Sequence, residues 1–134
     1  MTRFIYLRST PADVENGVYP QADLPVGCLA YRDMGNDTFA YGLSFLNSEV
    51  DAVTKEAARD VAQSRLKMAC AGVRRKRCQG RFGLLLASGN SLREKVAGLI
   101  HEVSLKELHG RPQIRERVVR QLANLEVRLL AHKK

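Results

Sequence analysis

The first apolar residues of the chain fall on both phases of a two-residue alternation: in RFIYLRS, Phe4 and Tyr6 alternate with Ile5 and Leu7. A strand apolar on both faces suits a position covered on both sides, so this segment is expected inside a sheet. TPADVENGVYPQADLP, with Pro11, Asn16, Gly17, Pro20 and Pro25, is broken too often for regular structure and reads as a loop. Two further apolar runs, 26–31 and 39–46, flank RDMGND, whose Gly35, Asn36 and Asp37 suit the positive backbone angles of a hairpin turn. In the second run Phe39, Tyr41, Leu43 and Phe45 share one face, and Ala40, Gly42 and Ser44 share the other.

The period then changes. Asn47 or Ser48 is placed to cap a helix that Glu49 and Asp51 favour electrostatically and that no breaker interrupts before Gly72, a fitting C-terminal stop. Val50, Val53, Ala57, Val61 and Met68 trace its apolar stripe, widened by Ala58, Ala62, Leu66 and Ala69. That stripe is expected to pack on the aromatic face of the hairpin, leaving Lys55, Arg59 and Arg65 outside. RFGLLLASGNS reads as a fourth strand ending in a turn at Gly89 and Asn90. Ser91 and Glu94 form a capping box for a helix with Leu92, Val96, Leu99, Ile100 and Val103 on one face. Gly110 ends it, Pro112 suits the first turn of another, and Ile114, Val118, Leu122, Leu125 and Leu129 form the second stripe. The fold expected is α+β: one domain over 1–134, with a small antiparallel sheet, its covering helix and a basic loop in 1–90, and an antiparallel helix pair in 91–134.

Charge changes the picture more than composition does. The net charge is +8, yet residues 1–60 hold five Lys/Arg against nine Asp/Glu, and residues 61–134 hold seventeen against five. From 61 to 93 there are eight cations and no acid. Their densest part, AGVRRKRCQGR, carries Arg74, Arg75, Lys76, Arg77 and Arg81 beyond the helix end. A helix C-terminus attracts cations, but at about 0.3–1 kcal/mol each and only within the last turn. That accounts for two arginines and leaves three cations without a reason. Like charges this close repel inside the roughly 8–10 Å screening length of physiological salt. A polyanion is the partner such a run suits, nucleic acid first, with a solvated basic loop as the plain alternative. The last helix carries Arg111, Arg115, Arg117, Arg120 and Arg128 on its outward face, either solvated or extending the basic surface.

The remaining chemistry is sparse. Cys28, Cys70 and Cys78 are odd in number and without CxxC spacing, so they read as reduced thiols. His101, His109 and His132 are scattered, and HEVSL starts as HExxH but ends at Leu105, so no metal or cofactor is expected. His101 reads as a partly buried helix residue. No nucleophile elbow, Walker loop or dinucleotide fingerprint occurs, and the expectation is no enzyme. The N-terminus becomes polar too soon for a signal peptide, and no apolar run approaches the roughly 18 residues of a membrane span. A cytoplasmic protein without membrane association is therefore expected.

QGRFGLLLA resembles the aromatic strand of RNA-recognition motifs, but Leu84 and Leu86 stand where that pattern has aromatic or β-branched residues. VSLKELHGRPQIRERVVRQL resembles a helix-turn-helix, with Lys106 and Glu116 at positions that motif keeps small or buried. Phe39, Tyr41 and Phe45 would make a base-stacking platform if they were not core. FAYGLSFLNSEVDAVTKEAARDVAQSRL, about a fifth of the chain, resembles a strand-turn-helix pattern of small uncharacterised phage and mobile-element proteins, through Arg59, Val61, Ala62, Arg65 and Leu66. It departs at Glu49 and Val50, where the pattern has a proline or basic residue. The resemblance implies a phage or plasmid accessory protein and no particular reaction.

The function expected is noncatalytic nucleic-acid binding with weak sequence preference, through Arg65, Lys67, Arg74, Arg75, Lys76, Arg77 and Arg81, extended by Arg111 and Arg115. The alternative is a protein-interaction module or inhibitor acting on a host complex, with the C-terminal helices as a homodimer interface. A structural protein of a phage particle is a third reading.

Overall fold

A computed structural model describes residues 2–9, 11–15, 17, 19–46, 54–72, 81–107, 122–123 and 125–127. In chain order its elements are β1 (Arg3–Arg8), α1 (Pro11–Glu15), β2 (Pro25–Gly35), β3 (Thr38–Phe45), α2 (Lys55–Cys70), β4 (Phe82–Leu86) and α3 (Leu92–Glu107). The four strands form one antiparallel sheet in the order β1-β2-β3-β4. The α+β class is as the periodicity indicates.

Asn36 and Asp37 close the β2–β3 hairpin as a two-residue turn, both at positive φ (54° and 58°), the geometry whose twist matches paired strands. Asp37 also fastens the sheet to α3: its carboxylate lies 2.8 Å from Lys95 Nζ, a hydrogen bond that raises the Lys95 pKa.

The two faces of the sheet have different covers. Phe39, Tyr41 and Leu43 are buried with Leu29, Tyr31, Val96, Leu99, Ile100 and Val103, so the bulky face packs under α3. α2 lies on the other face, where Ala58, Ala62, Leu66 and Ala69 meet Cys28, Ala30, Ala40 and Phe82. The sequence-based expectation paired α2 with the aromatic face, and the structure reverses it. The reason is steric. Small side chains at Ala40, Gly42 and Ser44 let a backbone come close, and α2 does: a Cβ at Gly42 would collide with the Ala62 carbonyl and the Leu66 amide nitrogen. Ser44 Oγ donates to the Ala58 carbonyl at 2.7 Å, satisfying a fully buried hydroxyl at this seam. Alanines bury little area each at about 25 cal/mol per Å2, so α2 is held by proximity and hydrogen bonding more than by bulk.

Other expectations also need correction. β1 lies at the edge of the sheet among the described residues; its apolar residues on both phases reflect two covered faces, Ile5 and Leu7 on the α3 side and Phe4 and Tyr6 on the α2 side. The Pro11 segment contains one short helix, α1, with proline in its first turn. The helix expected from Glu49 starts instead at Lys55: Thr54 is extended and its side chain accepts from the Ala57 amide at 3.1 Å. Asn47, Ser48, Val50 and Val53 lie outside the described residues. The buried stripe of α2 is the alanine set with Leu66, while Val61 is exposed. Thr54→Ala should cost about 1 kcal/mol, as loss of an N-cap side chain does. Urea denaturation checks this as a lower midpoint with unchanged slope.

Gly72 does terminate α2, at φ 73°. Glu94 N meets Ser91 Oγ at 3.2 Å as the capping box requires, while the Glu94 carboxylate accepts from the Asn90 amide at 3.0 Å. Of the second C-terminal helix, residues 122–123 and 125–127 are helical; Leu122 is buried in the α3-side core and Leu125 packs against it. Gly110, Pro112 and the arginines from Arg111 to Arg120 lie outside the described residues. His101 is exposed, not partly buried, with Nδ1 3.5 Å from the Glu126 carboxylate.

Candidate nucleic-acid interface

Alternation along β2 puts Cys28, Ala30 and Arg32 on the α2 face. The first two are buried under the helix, and Arg32 is exposed toward its C-terminal end. There a cavity of about 270 Å3 opens between β1, β2 and α2, bounded by Thr2, Arg32, Gln63, Leu66, Lys67 and Cys70. Arg32 Nη2 donates to Thr2 Oγ1 at 2.9 Å, which orients the guanidinium across the opening. Lys67 is exposed in the last turn of α2. The cleft thus offers a guanidinium, an ammonium, an amide and a hydroxyl, donors suited to phosphate oxygens.

The opposite flank of α2 carries Arg65, half-buried, whose Nη1 donates to the Leu43 carbonyl at 2.6 Å. The Leu43 amide donates to the Arg81 carbonyl at 2.7 Å, so one β3 residue brings Arg65 and Arg81 to the same corner. The Arg81 guanidinium lies 5.1 Å from the centre of the Phe45 ring, within cation–π range. Arg65, expected on the outer surface, therefore closes the end of the β3–β4 ladder while keeping donors to spare, since a guanidinium carries five N–H groups.

Lys67 and Arg32 thus lie at the C-terminal end of α2, where the chain leaves at Gly72, whereas Arg65 and Arg81 meet on the other flank at Leu43, alongside the middle of the helix. Neither Arg65 nor Lys67 pairs with a carboxylate among the described residues; the ion pairs there include Arg8 with Asp23 and Lys95 with Asp37. Arg74, Arg75, Lys76, Arg77, Arg111 and Arg115 lie outside the described residues. Arg32 is the site residue the sequence reading missed. Its signal was the Cys28, Ala30, Arg32 alternation, which places a cation on the same face as two small residues. The aromatic platform is absent: Phe39 and Tyr41 are fully buried under α3.

The thiols differ sharply. Cys28 is buried under α2, and desolvation pushes its pKa up to about 12, against a lowering influence from Arg59. Cys70 is exposed at the cleft. Iodoacetamide at pH 8 should modify Cys70 in the folded protein and reach Cys28 only after denaturation, read by peptide mapping. Cys28 labelled as fast as Cys70 would contradict its burial. Because the Cys28 pKa is raised in the folded state, its share of stability is complete below the ordinary thiol pKa and declines as pH rises through about 9 toward 12.

No helix among the described residues is long and apolar enough to cross a membrane, and they contain no cluster of metal-ligating side chains. Comparison of the chain with protein-family models, curated proteins and solved structures finds no match in any of the three.

Proposed function

We propose that this chain is a noncatalytic nucleic-acid-binding protein that holds phosphates around the C-terminal end of α2. One observation carries the reading: an acid-free run of eight cations from 61 to 93, whose Lys67 shares the cleft at the end of α2 with Arg32 and whose Arg65 and Arg81 meet at Leu43 on the other flank of that helix. Arg74, Arg75, Lys76 and Arg77 belong to the same run by sequence and supply most of its charge. Arg111 and Arg115 extend the surface in this proposal.

Contacts of this kind position a backbone and carry little sequence information, so the preference among sequences is weak. Each phosphate neutralised releases counter-ions, and four to six such contacts give a log K against log salt slope of about −4 to −5 on duplex DNA. The resemblance to phage and mobile-element proteins fits an accessory protein working in the cytoplasm of its host.

Titration of the protein against single- and double-stranded DNA and RNA at two salt concentrations tests the proposal. Binding that weakens about 100-fold or more between 50 and 200 mM salt is expected. Absence of binding to all four nucleic acids at the lower salt would overturn it.

A further inference from the structure

We propose that two copies of this chain join through β4, in antiparallel register about a two-fold axis at Leu84, to make one continuous eight-stranded sheet. The inference is independent of nucleic-acid binding and rests on the side of β4 that no strand among the described residues pairs with.

The Ala87 amide donates to the Asp37 carbonyl at 2.8 Å and the Leu43 amide to the Arg81 carbonyl at 2.7 Å. With the register Phe39↔Leu85 and Tyr41↔Gly83, the odd-numbered residues of β4 turn their backbone groups toward β3. Phe82, Leu84 and Leu86 therefore turn theirs outward. Among the described residues β4 has a neighbour strand on its β3 side alone.

Those same even positions carry the exposed side chains. Leu84 is 53% and Leu86 72% exposed, on the face whose Phe82 is buried against α2. Edges that stay in water are ordinarily blunted by a charge, a proline or a bulge, and FGLLL has none of these. A second β4 fits the edge: pairing Leu84 with Leu84 aligns outward donors with outward acceptors and sets Phe82 opposite Leu86. Each leucine then covers an apolar neighbour on the α2 face.

Charge chooses the direction and the partner. Arg81 and Arg65 stand at the start of β4, preceded in sequence by four consecutive cations. Asp33, Asp37 and Glu94 gather at its other end, outnumbering Lys95 and Arg93. Antiparallel pairing brings each cationic end toward the partner's acidic end, whereas parallel pairing would set two cationic ends together. In the resulting dimer the two basic corners lie on one side of the sheet, their Arg81 residues about 20 Å apart along the strands.

Sedimentation equilibrium on nucleic-acid-free protein, from low to high micromolar concentration, reads the association. The wild-type chain should form a dimer, and Leu84→Lys, which sets two ammonium groups opposite each other, should weaken it at least 100-fold while leaving the circular dichroism spectrum unchanged. Amide exchange provides a readout that needs no variant: the Phe82, Leu84 and Leu86 amides should slow as concentration rises. A wild-type protein that stays monomeric throughout would overturn the proposal. So would a dimer that keeps its mass with Leu84→Lys, or one whose concentration-dependent protection falls elsewhere, as on the C-terminal helices.

Discussion

Gly42→Val should destabilise the protein by about 4 kcal/mol or more, a large share of the 5–15 kcal/mol that holds a typical domain together. Even Gly42→Ala is expected to cost about 2–3 kcal/mol, at the upper end of single-methyl overpacking. The added carbon would point at the Ala62 carbonyl and the Leu66 amide, with the Arg65 carbonyl carbon only 2.9 Å away. These are backbone atoms of a hydrogen-bonded helix and cannot rotate aside as a side-chain tip can. α2 would have to back away from β3, stretching the Ser44 hydroxyl bond to Ala58 and the Arg65 bond to Leu43. A buried polar group left unsatisfied adds roughly 1–3 kcal/mol, which is why the valine variant should approach global unfolding. Urea denaturation of both variants gives the numbers. Gly42→Ala within 0.5 kcal/mol of wild type would show that helix and strand are not in close contact.

The second large effect separates the two possible covers of the aromatic face. Phe39→Ala should cost about 3–5 kcal/mol, because a fully buried ring is removed from the centre of the sheet. Its neighbours matter more than its size. Phe39 shares a core with Leu99 and Ile100, whereas Leu66 belongs to the core on the other side of the sheet. A double-mutant cycle of Phe39→Ala with Ile100→Val should show coupling of about 0.5 kcal/mol or more, and a cycle of Phe39→Ala with Leu66→Val should be additive within about 0.3–0.5 kcal/mol. The reverse pattern would place α2 over the aromatic residues.

That reversal marks where the sequence could be read and where it could not. β1 and β3 were visible through a two-residue alternation and β2 and β4 as short apolar runs, and Asn36, Asp37 and Gly72 announced their turns through backbone conformations few other residues accept. Side choice was harder. Pairing the largest faces is a sound rule when bulk drives packing, but the Ala40, Gly42, Ser44 row works by letting two backbones approach, and hydrophobicity ranks such residues low. For the same reason Val61 looked central to the α2 stripe while Ala58, Ala62 and Ala69 do the packing. The edge position of β1 was hidden because residues apolar on both phases signal two covered faces and say nothing about neighbours along the sheet.

In the candidate interface the charge itself was legible from counting, and its gathering point was not. Arg65 and Arg81 come together because α2 and β4 sit beside β3, with Leu43 binding the side chain of one arginine and the backbone of another. Arg32 joins Lys67 at the cleft from a strand more than thirty residues earlier, a proximity that only the packing of α2 on the sheet creates.

The most direct measurement is the salt dependence of nucleic-acid affinity for the wild-type chain and for the combined variant Arg74→Ala, Arg75→Ala, Arg77→Ala. Loss of three phosphate contacts should reduce the log–log slope by about 2–3 and weaken binding at least tenfold at 100 mM salt. An unchanged affinity with an unchanged slope would mean that the basic run does not touch the nucleic acid.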